Sequence, residues 1–140
     1  MKLEKIKYPD LNSRQKEIYN FQKVAALLAD FGFNCIKLAD DWQGADFLAY
    51  HKDGASTLKV QLKSRLHIKK EYEGTDLYIA FPIRKAWYLI AHDELVVLVA
   101  AHTPWLESKS WRISGGYSSD RPNQELIVAL HSSRLCPNAA

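Results

Sequence analysis

The sequence predicts a single α/β domain over residues 1–140, in which a central mixed β-sheet of about five strands is flanked by helices. Three observations carry that expectation. A stretch near the amino terminus repeats apolar residues at helical spacing. Several later stretches alternate or run apolar over strand lengths. The chain of 140 residues is 47% hydrophobic and 25% charged, which suits one core and leaves no room for two. Six Gly and five Pro are too few for a low-complexity chain, and the charge is too mixed for a disordered one.

Over residues 14–31, Ile18, Phe21, Val24, Ala25, Leu28 and Phe31 fall on one helical face. Asn12 or Ser13 is placed to cap the start, and Gly32 stands where a left-handed C-cap is expected. Residues 33–38 (FNCIKL) read as a short strand, and residues 40–45 (DDWQGA) as a polar loop. Residues 46–50 (DFLAY) and 57–65 (TLKVQLKSR) read as a hairpin across the turn Lys52-Asp53-Gly54. In its second strand, Leu58, Val60 and Leu62 share one face, and Lys59, Gln61, Lys63 and Arg65 the other.

Further strands are expected at residues 77–81 (LYIAF), 87–91 (WYLIA) and 95–101 (LVVLVAA), with His92-Asp93-Glu94 as a turn. Residues 103–124 read as irregular. Asn123 is placed to cap a terminal helix over residues 124–135, although ELIVAL there also suits a strand.

The net charge of +3 is too small for binding nucleic acid by bulk charge. Its distribution is uneven: residues 1–70 hold thirteen basic and eight acidic side chains, whereas residues 71–140 hold six and eight. The first half is therefore the one to search for a phosphate-binding surface. Cys35 and Cys136 are far apart and form no CxxC pair, which argues against a disulfide framework or zinc knuckle and fits a reducing cytosol. No stretch approaches the ~20 apolar residues of a membrane span. The usual nucleotide-binding loops and the serine-hydrolase elbow are missing as well.

The informative spacing is Asp46, fourteen residues, then Gln61-Leu62-Lys63. Gln61 and Lys63 are two apart on a strand and leave the same face, and a hairpin folds Asp46 back beside them. A carboxylate, an amide oxygen and an ammonium then share a few ångströms. Phosphodiester hydrolysis uses such a set: oxygens to hold a divalent metal, and a cation near the attacking water and the growing charge. Asp46 is the expected main metal ligand, with the Gln61 side-chain oxygen and the Leu62 backbone carbonyl beside it, for Mg²⁺ or Mn²⁺. Lys63 is expected to orient or activate the water. Glu17 is the acid best placed to reach the site from the helix.

These residues resemble the PD-(D/E)XK nuclease superfamily over about half the chain, residues 14–81. Asp46 matches the motif Asp, Gln61 stands where the second acid usually lies, and Lys63 matches the Lys. Glu17 matches the helical acid, with Gln22 as another candidate. Two departures stand out: Ala45 replaces the usual Pro, and Gln61 removes a negative charge from the metal site. A QxK variant is similar to intron-associated homing endonucleases. The resemblance implies a restriction-endonuclease-like core, a metal-dependent DNA endonuclease that leaves a 5′-phosphate, and a homodimer or higher oligomer in the cytoplasm.

The run Lys59, Lys63, Arg65, His67, Lys69 and Lys70 contains no acid between residues 59 and 70. Beside a nuclease site it is expected to contact phosphates. By itself such a run is more often a solvated face. Tyr72, Trp87, Trp105, Trp111 and Tyr117 suit base stacking if exposed. Glu17 also suits a first-turn acid that complements the helix dipole. A nuclease-fold module that binds DNA or RNA without cutting, and a protein-interaction domain, are the rival functions.

Overall fold

A computed structural model describes residues 1–137. The first helix, α1 (Ser13–Ala29), begins with a reciprocal cap. Asn12 Oδ1 accepts the Gln15 N–H at 2.8 Å, and Gln15 Oε1 accepts the Asn12 N–H at 2.9 Å. Beyond its end, Gly32 turns the chain at φ +85°, where a Cβ would lie 2.8 Å from the His51 ring. Strand β1 (Phe33–Trp42) then runs through the first half of the segment expected as a loop, and the last residue of that segment, Ala45, already lies in the next strand. Only Gln43 and Gly44 form the turn, both at positive φ (52° and 83°), which is the two-residue hairpin geometry.

Strands β2 (Ala45–His51) and β3 (Thr57–Leu62) continue the antiparallel meander. Asp53 Oδ1 accepts the N–H groups of Ala55 and Ser56 and shapes the turn between them. The chain then leaves the sheet through β4 (Leu66–Lys69) and returns as β5 (Leu77–Ile83), parallel to β3. Strand β6 (Ala86–Ala91) closes the order β1-β2-β3-β5-β6, the expected five-stranded mixed sheet.

The sheet is packed on both faces. Val24 and Leu28 of α1 cover Phe47, Ala49, Val60 and Ala80, and Leu135 joins them. The opposite face, with Ile79, Phe81, Ile83 and Ile90, packs against Leu66 and Ile68 of β4, Leu95 and Val99, Trp111 and Leu126. Among the described residues, no helix is long and apolar enough to cross a membrane.

Residues 95–101 are not a strand. They lie in α2 (His92–His102), which also absorbs the expected turn His92-Asp93-Glu94 as its first turn. A seven-residue apolar run fits either period, and packing decides it. His92, Leu95 and Val99 are buried at helical spacing, whereas Val97 is 66% exposed. Asp93 and Glu94 sit where the helix dipole favours acids.

The region expected as irregular holds a π-helical turn (Ser110–Ser114) and β7 (Gly116–Ser119), which pairs with β4 in a two-stranded ribbon. Strand β3 stops at Leu62 rather than Arg65. The terminal helix α3 (Gln124–Ala129) has the expected Asn123 cap but is shorter than expected. The chain then returns to the sheet, where the Leu135 N–H donates to Trp87 O.

The packing of α2 separates two substitutions that a strand would make equivalent. Leu95→Ala is expected to cost about 2–5 kcal/mol, and Val97→Ala to stay within about 0.5 kcal/mol. Urea unfolding of the two variants checks this.

Candidate active site

The hairpin register brings the site together. Phe47 pairs with Val60, so the next step sets Asp46 opposite Gln61 at the end of β2 and β3. Asp46 Oδ2 accepts the Leu62 N–H at 2.7 Å and ties the two strand ends together. Leu62 thus meets Asp46 through its N–H, and the Lys63 N–H donates to Ala80 O on β5. The hairpin thus brings the Asp46 carboxylate to the backbone of the Gln61–Lys63 triplet.

Gln61 is 8% exposed, and its Oε1 is buried without a hydrogen-bond partner. A buried acceptor left unpaired costs about 1–3 kcal/mol, so an oxygen in this condition calls for an explanation. It lines a recess shared with Lys63, Lys69, Glu71, Tyr72 and Asp41.

Asp41 was not among the expected site residues. The register of β1 against β2 shifts between Lys37 and Trp42, and beside the Trp42–Ala45 pair the carboxylates of Asp41 and Asp46 lie within hydrogen-bond reach. Burial, reinforced by Asp41, raises the Asp46 pKa; the Leu62 N–H and Lys37 act in the opposite direction. Gln43-Gly44, read as a two-residue turn, is the sequence signal that places Asp41 here.

Lys63 has its pKa lowered, first by burial and then by Lys69, against the pull of Asp46, Asp41 and Glu71. Its Nζ lies 5.9 Å from the centre of the Tyr72 ring. Glu17 and Gln22 both line the groove that holds Asp46. The Glu17 carboxylate is paired with Lys37 Nζ at 3.1 Å, and that pair stands between α1 and β1.

The basic run does not form one uniform surface. Arg65 donates to the Ser118 hydroxyl and carbonyl, which joins it to β7. Lys59 Nζ donates to Thr75 O at 3.0 Å, and Lys70 Nζ to Arg112 O at 3.3 Å. Lys69 pairs with Glu71 at 3.0 Å. His67 is half-buried among Lys63, Lys69 and Arg65, and burial followed by these cations pushes its pKa down to about 4. It is therefore neutral near pH 7 and carries a hydrogen-bonding ring rather than a charge.

Two of the aromatics considered for stacking are in the core: Tyr72 is 9% exposed and Trp111 7%. Trp105 and Tyr117 stack on each other with ring centroids 4.6 Å apart. His92 is buried, and its Nε2 accepts the Lys69 N–H at 3.0 Å, so α2 helps to hold β4 beside the site. Cys35 has its thiol pKa pushed up to about 11 by burial, which fits a packing residue rather than a nucleophile.

The donor set can be tested against a divalent cation. Asp46 and Gln61 Oε1 supply hard oxygens, one of them buried with nothing bonded to it. These residues fit Mg²⁺ or Mn²⁺, which keep several waters and take few protein ligands. Among the described residues, no group of three or more His, Cys, Asp or Glu forms a metal cluster.

The depressed His67 pKa has a definite consequence for stability. The unfolded chain binds a proton near pH 6.5 and the folded chain only near 4, so the stabilisation is full above pH 6.5 and is lost as pH falls toward 4. His92 is shifted the same way. His67→Gln is expected to flatten, without abolishing, the fall in melting temperature between pH 6.5 and 4.5.

No protein-family model and no curated protein matches this chain. Solved structures similar to it include the following two. One is Hjc from Archaeoglobus fulgidus, a Holliday junction resolvase from an archaeal hyperthermophile. It is 22% identical, over 56% of this chain and 74% of its own, with a TM-score of 0.45. The other is the bacterial homing endonuclease I-Ssp6803I. It is 14% identical, over 87% of this chain and 94% of its own, with a TM-score of 0.48.

Proposed function

We propose that this protein is a metal-dependent DNA endonuclease that hydrolyses phosphodiester bonds with an activated water. The observation that carries the proposal is the unpartnered, buried Oε1 of Gln61 in the recess that Lys63 also lines, next to the Leu62 N–H that Asp46 accepts. Asp46 and Gln61 would hold Mg²⁺ or Mn²⁺, with the Leu62 carbonyl as a neutral third oxygen. The cation supplies Lewis acidity toward the phosphodiester when bound there.

The chain's own residues do the rest. The Leu62 N–H fixes the rotamer of Asp46, so its second oxygen keeps one direction. Lys63 orients the attacking water and faces the charge that grows on the phosphoryl oxygens. Its lowered pKa suits exchange of a proton with that water. Glu17, on the groove that holds Asp46, contributes once its carboxylate leaves Lys37. Arg65, Lys69, Lys59 and Lys70 contact flanking phosphates, and His67 donates to one as a neutral ring. A homodimer in the cytosol would place one site on each strand.

Two experiments test the proposal. Supercoiled plasmid is incubated with Mg²⁺ or Mn²⁺ and either wild type or Lys63→Ala, purified identically. Wild type is expected to nick, and the variant to be slower by about 10²–10⁴-fold. Equal cutting by both would overturn the assignment of Lys63. Cutting by neither would favour the module that binds without cleaving. Separately, DNA affinity should fall with salt, with log K changing by about −0.9 per phosphate contact for each unit of log salt. Affinity independent of salt would contradict the phosphate-contact surface.

A further inference from the structure

We propose that Asp41 is a second carboxylate ligand of the same cation site, supplying the negative charge that Gln61 lacks. This inference rests on the reading of Asp46 and Gln61 as cation ligands. Three observations support it.

The first is register. The Gln43-Gly44 turn pairs Trp42 with Ala45, so Asp41 and Asp46 flank this closing pair with their carboxylates within hydrogen-bond reach, and Asp46 accepts the N–H of Leu62, the neighbour of Gln61. Asp41, Asp46 and Gln61 therefore come from the adjoining ends of three neighbouring strands, β1, β2 and β3. The second is position. Asp41 lines both the groove that holds Asp46 and the recess that holds Gln61, whereas its neighbour Asp40 lines only the groove. The third is pairing. Glu17 is held by Lys37 and Glu71 by Lys69, whereas Asp41 forms no ion pair among the described residues. Two carboxylates within hydrogen-bond reach repel, and the buried Oε1 of Gln61, in the recess that Asp41 also lines, has no donor. A single cation satisfies all three groups.

Charge points the same way. Asp46 with two neutral oxygens offers one negative charge to a divalent ion, and Asp41 makes it two, within the one or two carboxylates usual for Mg²⁺.

The test is calorimetric titration of Mn²⁺ into wild type, Asp41→Asn, Asp46→Asn and the distant charge-matched control Asp120→Asn, each confirmed folded by circular dichroism. Asp41→Asn is expected to weaken Mn²⁺ binding about tenfold or more, and Asp120→Asn to leave it unchanged. Wild-type affinity in Asp41→Asn, with binding lost in Asp46→Asn, would overturn the role of Asp41 and leave the proposed function standing. An equal loss in Asp120→Asn would reduce the effect to net charge and overturn the ligand assignment. Absence of Mn²⁺ binding by wild type would overturn both.

Discussion

The carboxylate of Asp46 accepts the Leu62 N–H at 2.7 Å, and the geometry around the candidate site depends on that bond. It joins β2 to β3 at the strand ends, where the last residues of a hairpin otherwise fray. Charge-assisted hydrogen bonds of this type are about twice as strong as neutral ones. The bond holds Asp46 in one rotamer opposite Gln61. Parallel pairing of β3 with β5 then carries the alignment onward, with Gln61 beside Ile79 and the Lys63 N–H bonded to Ala80. The site is therefore built on the most heavily supported part of the sheet, with α1 on one face and β4, α2 and α3 on the other.

Around this fixed point the polar groups are poorly compensated. An amide oxygen is buried without a donor, a lysine is partly desolvated beside other cations, and two carboxylates face each other. Each of these opposes folding, and the apolar layers on both faces of the sheet supply the stability that tolerates them. Strain of this kind confined to one end of a sheet is where function is expected. Not all nearby polar groups are in tension, since Glu17 with Lys37 and Lys69 with Glu71 are ordinary paired charges.

Much of this was legible in the sequence because it is local. The spacing of Phe21, Val24 and Leu28 on α1, the alternation of β3 and the turn chemistry at Asp53 each depend on neighbours within a few residues and appear in the structure, whereas Ile18 and Phe31, read onto the same helical face, are exposed. The approach of Asp46 to residues 61–63 followed from the same alternation. What was not legible depends on distant pairing. The β4–β7 ribbon joins Leu66 to Ser119 through strands of four residues each, too short to leave a periodic signal. The run 95–101 carried no information that separates a helix from a strand until its packing partners were known. The burial of Tyr72 and Trp111 was not legible, because sequence does not report exposure. Asp41 is the instructive case. Its place near Asp46 follows from the tight turn of two residues at positive φ, a feature that Gly44 signals and the polar composition of DDWQGA obscures.

The central claim is that the Asp46–Gln61 end of the hairpin holds a divalent cation. The most direct measurement is a crystal grown or soaked with Mn²⁺, with diffraction collected to reveal anomalous scattering. A peak within bonding distance of an Asp46 carboxylate oxygen and Gln61 Oε1 is the predicted result. A map without a peak there, with Gln61 Oε1 turned to accept a protein hydrogen bond, would contradict the account.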